Sequence, residues 1–173
     1  MSALKVRRAN AEDAAALEHI GRATFLEAFA DFVAGADLMA HLDRQYDRTK
    51  IAQWLNSAGW AAWLAETAKL SPVGFLLLCP PDMPIATHAA DDIEIKRIYL
   101  FSHYHGSGIA AEMVQAALDH ARQAGKKRVL LGVNVENFRA LGFYRKMGFE
   151  TIGTRNFIVG TEVHDDYIMA RSF

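Results

Sequence analysis

The sequence predicts a mixed α/β fold of the α+β type, with a central, mixed but mostly antiparallel sheet of about six to seven strands flanked by helices. Two observations lead to this prediction. Short segments of alternating apolar and polar residues follow one another directly, which is typical of antiparallel strands. Only one strand–helix–strand unit, over residues 94–135, has the order of a parallel crossover. The predicted order of elements is β, α, α, β, β, β, α, β, α, β, β.

The first third of the chain predicts one strand followed by helices. The segment Leu4–Arg7 alternates and forms a short strand, and Asn10 or Asp13 can cap the helix after it. We expect Gly21 to bend or divide that helix, because glycine weakens a helix interior. After Gly35, the apolar spacing indicates one or two further short helices.

Six further strands and two helices are expected in the rest of the chain. The strands are Trp60–Glu66, Pro72–Cys79, Glu94–Leu100, a segment within Lys127–Val135, Phe149–Gly160 and Val163–Arg171. The second of these is nearly all apolar, so we place it in the centre of the sheet. The helices run from Ile109 to Gly125 and from about Asn137 to Met147, and a glycine ends each of them.

Length and composition limit the classes of protein to consider. The 173 residues suffice for one domain with a substantial core, and we place a single domain over residues 1–173. A formal net charge of −1 without a long basic run disfavours nucleic acid as a partner. The single Cys79 suits a reducing compartment, and no stretch has the length and apolarity of a membrane span. We therefore expect a cytoplasmic protein without a membrane partner.

A loop with two glycines lies between the strand Glu94–Leu100 and the helix that begins at Ile109. Gly106 and Gly108 let the backbone turn with φ > 0 and let a ligand approach the N–H groups closely. The amides of the first helical turn have no partner within the helix and lie at its positive dipole end. The loop therefore predicts a phosphate or pyrophosphate site.

Two motifs fit this loop. The sequence Gly106-x-Gly108-x-x-Ala111 matches the dinucleotide-binding motif and favours an NAD(P)-dependent oxidoreductase. Glu136 would then be the acidic residue that this motif has downstream. Against it, a gap of five residues separates the strand from the first glycine, and no second βαβ half follows. The alternative is the acetyltransferase loop, Arg/Gln-x-x-Gly-x-Gly/Ala. The spacing His103-x-x-Gly106-x-Gly108 fits that pattern, with His in place of Arg or Gln.

The helix that begins near Asn137 is the second informative stretch. Asn137, Leu141 and Tyr144 lie on one helix face, because they are four and three residues apart. Asn137 can also be a helix cap and Tyr144 a core aromatic. Together with the loop, this stretch resembles the Gcn5-related N-acetyltransferase (GNAT) superfamily, in which a strand, an Asn and a helix ending in Phe-Tyr follow the pyrophosphate loop. The resemblance covers residues 92–150, extends through the order of elements to nearly the whole chain, and implies the GNAT-type fold.

Three further segments resemble the bacterial polyamine (spermidine/spermine) acetyltransferase branch. They are Thr24–Phe29, Glu94–Leu100, and Phe157–Gly160 followed by Asp166–Met169. This resemblance implies acetyl-CoA as the acetyl donor and a primary amine of a small molecule, such as a polyamine, as the acceptor.

The resemblance also implies the residues that bind the cofactor. The backbone of Ile98, Tyr99 and Leu100 would pair with the pantetheine arm like an extra strand. Asn137 would help to orient the cofactor, and Lys146 could reach a CoA phosphate. The residues implied at the pyrophosphate are His103, Gly106, Ser107, Gly108, Ile109 and Ala110.

The catalytic candidates are a tyrosine and a carboxylate. By the resemblance, Tyr144 would face the sulfur and protonate the departing CoA thiolate as the general acid in a ternary complex. An acceptor amine with a lysine-like pKa of ~10.4 is mostly protonated near pH 7, so a base or a desolvating site would help. Many relatives have a carboxylate on the strand Glu94–Leu100, at the place where this chain has Lys96. Glu94 points to the same strand face and is our candidate base, the alternative being a solvated residue at a strand start.

Acceptor residues and competing functions complete the predictions. The candidate acceptor-binding residues are Phe25, Glu27, Phe29 and Asp166, and Asp31 and Asp165 could also attract a cation. The pair His103-x-His105 would need a third metal ligand that nothing nearby supplies, so we predict no metal. A non-catalytic CoA-binding sensor would keep the loop without needing Tyr144. The sequence does not fix the assembly state, and a homodimer is left open.

Overall fold

The strands of the computed structural model form one sheet, and its helices lie on both faces of that sheet. The structure describes residues 3–85 and 89–173. The strands are β1 (Leu4–Arg8), β2 (Ala61–Thr67), β3 (Pro72–Cys79), β4 (Asp92–Leu100), β5 (Arg128–Asn134), β6 (Glu150–Val159) and β7 (Glu162–Ser172). The α-helices are α1 (Ala14–Phe29), α2 (Gly35–Gln45), α3 (Arg48–Leu55), α4 (Ile109–Gln123) and α5 (Phe138–Lys146). Short 3-10 helices span Ala11–Asp13 and Ser102–Tyr104.

The sheet is mostly antiparallel, as the sequence predicts. Its seven strands have the order β1-β2-β3-β4-β5-β7-β6, and within the described residues only β4 and β5 pair in parallel. Helix α4 connects these two strands and forms the single crossover expected from the sequence. The predicted fold class is therefore confirmed.

The two faces of the sheet bury separate apolar clusters. Helices α1, α2 and α3 cover one face, which we call the α1 face, and α4 and α5 cover the other, the α4 face. The α1 face buries Leu17, Phe25, Leu42, Tyr46, Leu64 and Phe75, and the α4 face buries Leu76, Ile95, Met113, Val129 and Leu141. Because β3 is covered on both sides, its sequence is almost entirely apolar.

Strand β4 contains a bulge at the point where it separates from β5. In the pairing with β3, the register passes from Ile95 to Arg97 and leaves Lys96 as an extra residue. The parallel pairing with β5 covers only Asp92–Ile95 and ends at the same place. A bulge bends its strand and increases the local twist. The sheet is therefore split between the C-terminal halves of β4 and β5.

The expectation that Gly21 divides the first helix is wrong, and a bend at Gly21 stays a prediction. Helix α1 continues through Gly21 from Ala14 to Phe29. A Cβ at Gly21 would come within 2.3 Å of the Tyr46 ring, so the glycine makes room for α2 to pack against α1. Asn10, one of the two predicted caps, does cap a helix: it forms a capping box at the 3-10 helix Ala11–Asp13, which leads directly into α1.

Two further properties concern membranes and metals. Within the described ranges, no helix combines the length and the apolar character that a membrane crossing requires. Among the same residues, no three His, Cys, Asp or Glu side chains come together as metal ligands would.

Candidate active site

The split leaves main-chain groups of β4 without a strand partner. The Phe101 N–H donates to Val73 O at 3.0 Å, so Phe101 belongs to a hydrogen-bonded pair between β4 and β3. Alternation along an antiparallel pair then turns the main-chain groups of Ile98 and Leu100 toward the split and those of Tyr99 toward β3. The split therefore offers the N–H and C=O groups of Ile98 and the N–H of Leu100 to an extended ligand, whereas the Leu100 carbonyl contacts His105 Nε2 at 3.0 Å.

The glycine loop follows the free end of β4 and carries exposed amides. Gly106 and Gly108 have φ angles of +80° and +90°, and a Cβ at either residue would meet no heavy atom within 4 Å. Helix α4 begins without a side-chain cap, and the amides of Gly108 and Ala110 have no hydrogen-bond partner among the described residues. Ser107 N and Ile109 N make only long bonds within the loop, of 3.3 and 3.4 Å. These amides are available to an anion such as a pyrophosphate.

His105, rather than His103, connects the loop to its surroundings. Its Nε2 bonds to the Leu100 carbonyl oxygen at 3.0 Å and its Nδ1 contacts Arg139 Nη1, whereas the His103 ring makes no hydrogen bond to the described residues and only contacts the Tyr104 ring. The acetyltransferase spacing is also met by His105-x-x-Gly108-x-Ala110, two residues after the match used for the prediction. That second match is the signal by which the sequence could have identified His105. Nothing in the sequence places Arg139 beside it.

Tyr144 lies on the buried side of α5, where aromatic contacts fix its ring. It is 7% exposed, and its ring centroid lies 5.2 Å from that of Phe143 and 5.9 Å from that of Phe149. Burial raises the pKa of the Tyr144 phenol above its ordinary value, so the hydroxyl keeps its proton near neutral pH. Burial also raises the pKa of the Tyr99 phenol, and the phenols of Tyr46 and Tyr144 contribute to that rise.

Glu94 is a buried carboxylate on the α1 face, next to the bulge. Its side chain is fully buried, and its Oε2 accepts a hydrogen bond from the Asp82 N–H at 3.0 Å. Its Oε1 has no hydrogen-bond partner among the described residues and lies 3.4 Å from Lys96 Nζ, which also bonds to Asp82. Burial raises the pKa of Glu94, and the Lys96 ammonium offsets part of that rise. The alternative of a solvated residue at a strand start is therefore wrong.

A second ion pair lies on the α1 face where the split opens. Arg155 Nη2 lies 3.3 Å from Asp166 Oδ2, and Asp166 is only 6% exposed. The Arg155 guanidinium covers Gly132, where an added Cβ would come within 2.3 Å of it. Gly132 directly follows the last residue of β5 that pairs with β4. Burial raises the pKa of Asp166, and Arg155 lowers it in part.

An aromatic cluster continues the α1 face beyond this ion pair. The Phe25 ring stacks on Phe29 at 4.3 Å and on His41 at 4.5 Å, and Phe157 of β6 lies 6.5 Å from both Phe29 and His41. Burial lowers the pKa of His41 to about 4, so this ring is neutral near pH 7. Phe25 is buried, whereas Phe29 and Phe157 are half-buried. Of the two predicted aromatic residues, Phe29 therefore presents more surface to a ligand.

Glu27 holds the segment that leads into the glycine loop. Its carboxylate accepts hydrogen bonds from Ser102 N at 3.0 Å and from Ser102 Oγ at 2.9 Å. Ser102 begins the 3-10 helix, so this contact ties α1 to the loop. Asp165 points away from Asp166 because neighbouring residues of β7 face opposite sides of the sheet. The structure therefore does not bring these predicted carboxylates together in one acidic surface.

Asn137 and Lys146 lie at opposite ends of α5. Asn137 Oδ1 accepts from the Ala140 N–H at 3.1 Å, which is the capping role that the sequence allows. Lys146, the last residue of α5, is exposed and lies about 14 Å further along the helix axis. Because Arg139 contacts His105, the Asn137 end of the helix is the one next to the loop. The cofactor roles of both residues stay predictions.

Comparison with protein families places this arrangement in a known group. Residues 22–149 match the acetyltransferase (GNAT) family, and this range contains β4, the glycine loop and α5. The chain belongs to the GNAT acetyltransferase family. It is therefore an enzyme, as predicted, and the dinucleotide interpretation of the glycine loop finds no support.

Related sequences agree with the family over almost the full length of this GNAT enzyme. An uncharacterized N-acetyltransferase of Mycobacterium tuberculosis is 33% identical over 159 residues, which cover 92% of this chain and 97% of the relative. An uncharacterized N-acetyltransferase of Lactobacillus delbrueckii subsp. lactis is 22% identical, with 99% of each chain covered. These relatives support N-acetyltransferase activity, and the polyamine branch stays a prediction.

Solved structures share the fold of this GNAT enzyme. The PaiA N-acetyltransferase of Thermoplasma acidophilum, in complex with coenzyme A, superposes with a TM-score of 0.79 at 20% identity and 99% coverage of both chains. The putative acetyltransferase YncA of Salmonella typhimurium, with its cofactor acetyl-CoA, gives a TM-score of 0.75 at 18% identity, covering 99% of this chain and 94% of that one. At these identities the likeness establishes the fold alone.

The buried carboxylate of Glu94 leads to a prediction about stability and pH. Because the pKa of Glu94 is raised in the folded protein, its ionisation costs stability as the pH rises through the folded pKa. The cost is absent below the ordinary glutamate pKa of ~4.3, where both states are protonated. We expect Glu94→Gln to raise the Tm relative to the unsubstituted protein at pH 8, and this gain to shrink as the pH falls toward 4.

Thermal unfolding of both proteins from pH 4 to pH 8 measures the effect. Glu162→Gln, at an exposed position of β7, is the control for losing a carboxylate without burial. A difference in Tm that stays constant with pH, or grows toward acid, would contradict the prediction.

Proposed function

We propose that this GNAT enzyme transfers the acetyl group of acetyl-CoA to a primary amine of a small molecule, by direct transfer in a ternary complex. The observation that carries the proposal is the split between β4 and β5, which lies at the end of β4 that leads into the glycine loop. Two structures that share this fold, those of Thermoplasma acidophilum and Salmonella typhimurium, contain coenzyme A and acetyl-CoA, and they support the choice of donor.

The residues at the split fit acetyl-CoA. An extended pantetheine arm can pair with the main-chain N–H and C=O of Ile98 and with the N–H of Leu100 as an added strand would, while His105 keeps the Leu100 carbonyl. The open amides of Gly108 and Ala110 suit the pyrophosphate, because no Cβ at Gly108 blocks the approach. The main chain of Tyr99 faces β3 and is not available to the arm, and its ring packs against Phe25 and Phe75.

Residues of this chain handle the two protons of the reaction. Bound acetyl-CoA supplies the acetyl thioester. The amine nitrogen bonds to the acetyl carbonyl carbon, and the carbon–sulfur bond breaks. Tyr144 gives its hydroxyl proton to the leaving sulfur, and its raised pKa keeps that proton on the phenol until then. Glu94 takes up the proton lost by the amine, through water, and solvent restores both groups.

Burial and hydrogen bonding support Glu94 as the base. It has a raised pKa, and its Oε1 makes no hydrogen bond within the described chain. The Lys96 ammonium beside it favours the ionised form, which is the form that can accept a proton, and offsets part of the rise that burial causes in the pKa of Glu94. Lys96 thus stands where relatives have a carboxylate and acts on the base from two residues further along the same strand.

A polyamine acceptor is the narrower part of the proposal, and its support is the sequence resemblance. The carboxylates on the acceptor side already have partners: Glu94 contacts Lys96, Asp166 pairs with Arg155, and Glu27 holds Ser102. A second ammonium of the acceptor would compete for these groups. The half-buried rings of Phe29 and Phe157 suit the methylene chain or another apolar part of the acceptor.

A turnover assay with a panel of primary amines tests the proposal and separates it from a sensor function. The panel contains spermidine, spermine, aliphatic and aromatic monoamines, and amino acids, and the assay follows release of the CoA thiol. Acetyl-CoA binding without turnover of any amine, and with unchanged affinity in Tyr144→Phe, would favour the CoA-binding sensor. Turnover of one amine class identifies the acceptor.

The glycine loop gives a prediction about donor affinity. We expect Gly108→Ala to weaken acetyl-CoA binding at least tenfold, which corresponds to about 1.4 kcal/mol, because its Cβ extends into the space through which the pyrophosphate approaches. Isothermal titration calorimetry measures the affinity.

The matched control is Gly125→Ala at the other end of α4. Gly125 also has a positive φ, of +72°, and an added Cβ there also meets no atom within 4 Å. Both substitutions impose similar backbone strain, but only Gly108 lies in the glycine loop. Equal affinities of the two variants for acetyl-CoA would place the pyrophosphate elsewhere.

The role of Tyr144 gives a prediction about turnover. Tyr144→Phe removes the proton donor and keeps the ring contacts with Phe143 and Phe149. We expect kcat to fall by about 10²-fold or more, the low end of general acid catalysis, with little change in acetyl-CoA affinity. The alkaline limb of the pH–rate profile should also change. Full activity of the variant would remove Tyr144 from the mechanism.

The ion pair of Asp166 gives a prediction about the acceptor charge. Asp166→Asn leaves the Arg155 cation uncompensated near the split, so the KM for a cationic amine should rise. We expect the rise to be larger for spermidine than for a monoamine of similar length, and added salt to raise the spermidine KM in the unsubstituted enzyme. A spermidine KM that neither salt nor Asp166→Asn changes would argue against a polyamine acceptor.

A further inference from the structure

The glycine loop has no cationic side chain of its own. From Gly106 to Ala110 every residue is uncharged, and the histidine at position 105 stands where the acetyltransferase pattern has Arg or Gln. A pyrophosphate carries negative charge on both phosphates, so backbone amides alone would leave that charge without a cation. Arg139, in the first turn of α5, is a cation that contacts His105, the residue directly before the glycine loop.

The contacts of His105 fix how Arg139 is held. The Leu100 carbonyl can only accept a hydrogen bond, so His105 Nε2 must carry the proton that joins them. Burial and the nearby Arg139 lower the pKa of His105, so the ring is neutral and its Nδ1 is an acceptor. Arg139 Nη1 donates to this Nδ1. A chain of contacts therefore runs from β4 through His105 to Arg139.

Arg139 has no negative partner in the described structure. No carboxylate lies within ion-pair distance of it, and its one polar contact uses one of the five N–H donors of a guanidinium. Arg7, Arg22 and Arg128 each pair with a carboxylate at 2.6–2.9 Å. Three further arginines also have no carboxylate partner among the described residues, but they contact His120, Gln45 and the Met147 carbonyl rather than His105: Arg8, Arg97 and Arg171. An exposed guanidinium held by a neutral ring beside exposed amides suits an anion that both can bind.

We propose that Arg139, positioned by His105, binds the pyrophosphate of the donor and supplies the cation that the glycine loop lacks. This inference rests on the proposed function, since it concerns the same donor. Arg139 is a binding residue contributed by α5, and His105 is a positioning residue that acts through it. Neither Lys146, at the far end of α5, nor His103 has such a contact with the loop.

Affinities for CoA and for 3′-dephospho-CoA, measured by calorimetry, test the proposal. Both ligands contain the pyrophosphate, and only CoA has the 3′-phosphate. We expect Arg139→Gln to weaken both by the same factor, about tenfold or more, because it removes charge-assisted hydrogen bonds. Arg145→Gln, an exposed arginine six residues later on α5, is the matched control and should leave both affinities unchanged.

A double-mutant cycle tests the positioning role of His105. We expect His105→Phe to weaken both ligands, and the His105→Phe/Arg139→Gln double variant to bind no worse than Arg139→Gln alone. His105→Gln should restore affinity, since an amide can donate to Leu100 O and accept from Arg139. Effects that add fully in the double variant would overturn the positioning role.

The outcomes separate this inference from the proposed function. Failure of the unsubstituted protein to bind acetyl-CoA or CoA would overturn the proposed function itself. Normal CoA binding by Arg139→Gln would overturn the inference alone. A loss confined to CoA and absent with 3′-dephospho-CoA would assign Arg139 to the 3′-phosphate and overturn the pyrophosphate assignment. An equal loss in Arg145→Gln would show a general charge effect and would also overturn it.

Discussion

The parallel pairing between β4 and β5 stops after residues Asp92–Ile95, and the candidate site depends on that limit. Had the pairing continued, the main-chain groups of Ile98 and Leu100 would be satisfied by β5 and unavailable to a ligand. The Lys96 bulge bends β4 at the place where the pairing ends. Both strands stay in the sheet because β3 holds one and β7 holds the other. The opening is thus built into the sheet and needs no movement of a domain.

A split in a sheet also brings together side chains from its two faces. Tyr144 comes from α5 on the α4 face, whereas Glu94 and Asp166 belong to the α1 face. In the proposed mechanism, the acid Tyr144 and the base Glu94 therefore lie on opposite faces, and the sheet keeps them apart. This separation matters because direct contact would let the two groups exchange their proton with each other rather than with substrate.

The charges on the α1 face are mostly balanced inside the protein. Lys96 contacts Glu94 and Asp82, and Arg155 pairs with Asp166. Buried ion pairs contribute little net stability, because desolvation offsets their attraction. Here Lys96 and Arg155 lower the pKa values of Glu94 and Asp166, respectively, and so offset part of the rise that burial causes. The contact of Glu27 with Ser102 serves a different purpose, since it fixes the start of the glycine loop from α1.

The sequence by itself determined the fold class, the family and the position of the loop, because these depend on local features: alternation along strands, glycines at 106 and 108, and a helix with Asn137 and Tyr144. It placed the last helix and the apolar central strand correctly for the same reason. It wrongly allowed Gly21 to divide the first helix, since the ring that needs this space comes from Tyr46, the residue after α2. It did not reveal that Glu27 bonds to Ser102, and it overlooked Arg139 and Arg155, because the partners of these three residues lie 75, 34 and 11 residues away along the chain. Only the tertiary structure decided which charges meet, because a long side chain takes its role from partners that folding brings within hydrogen-bond distance.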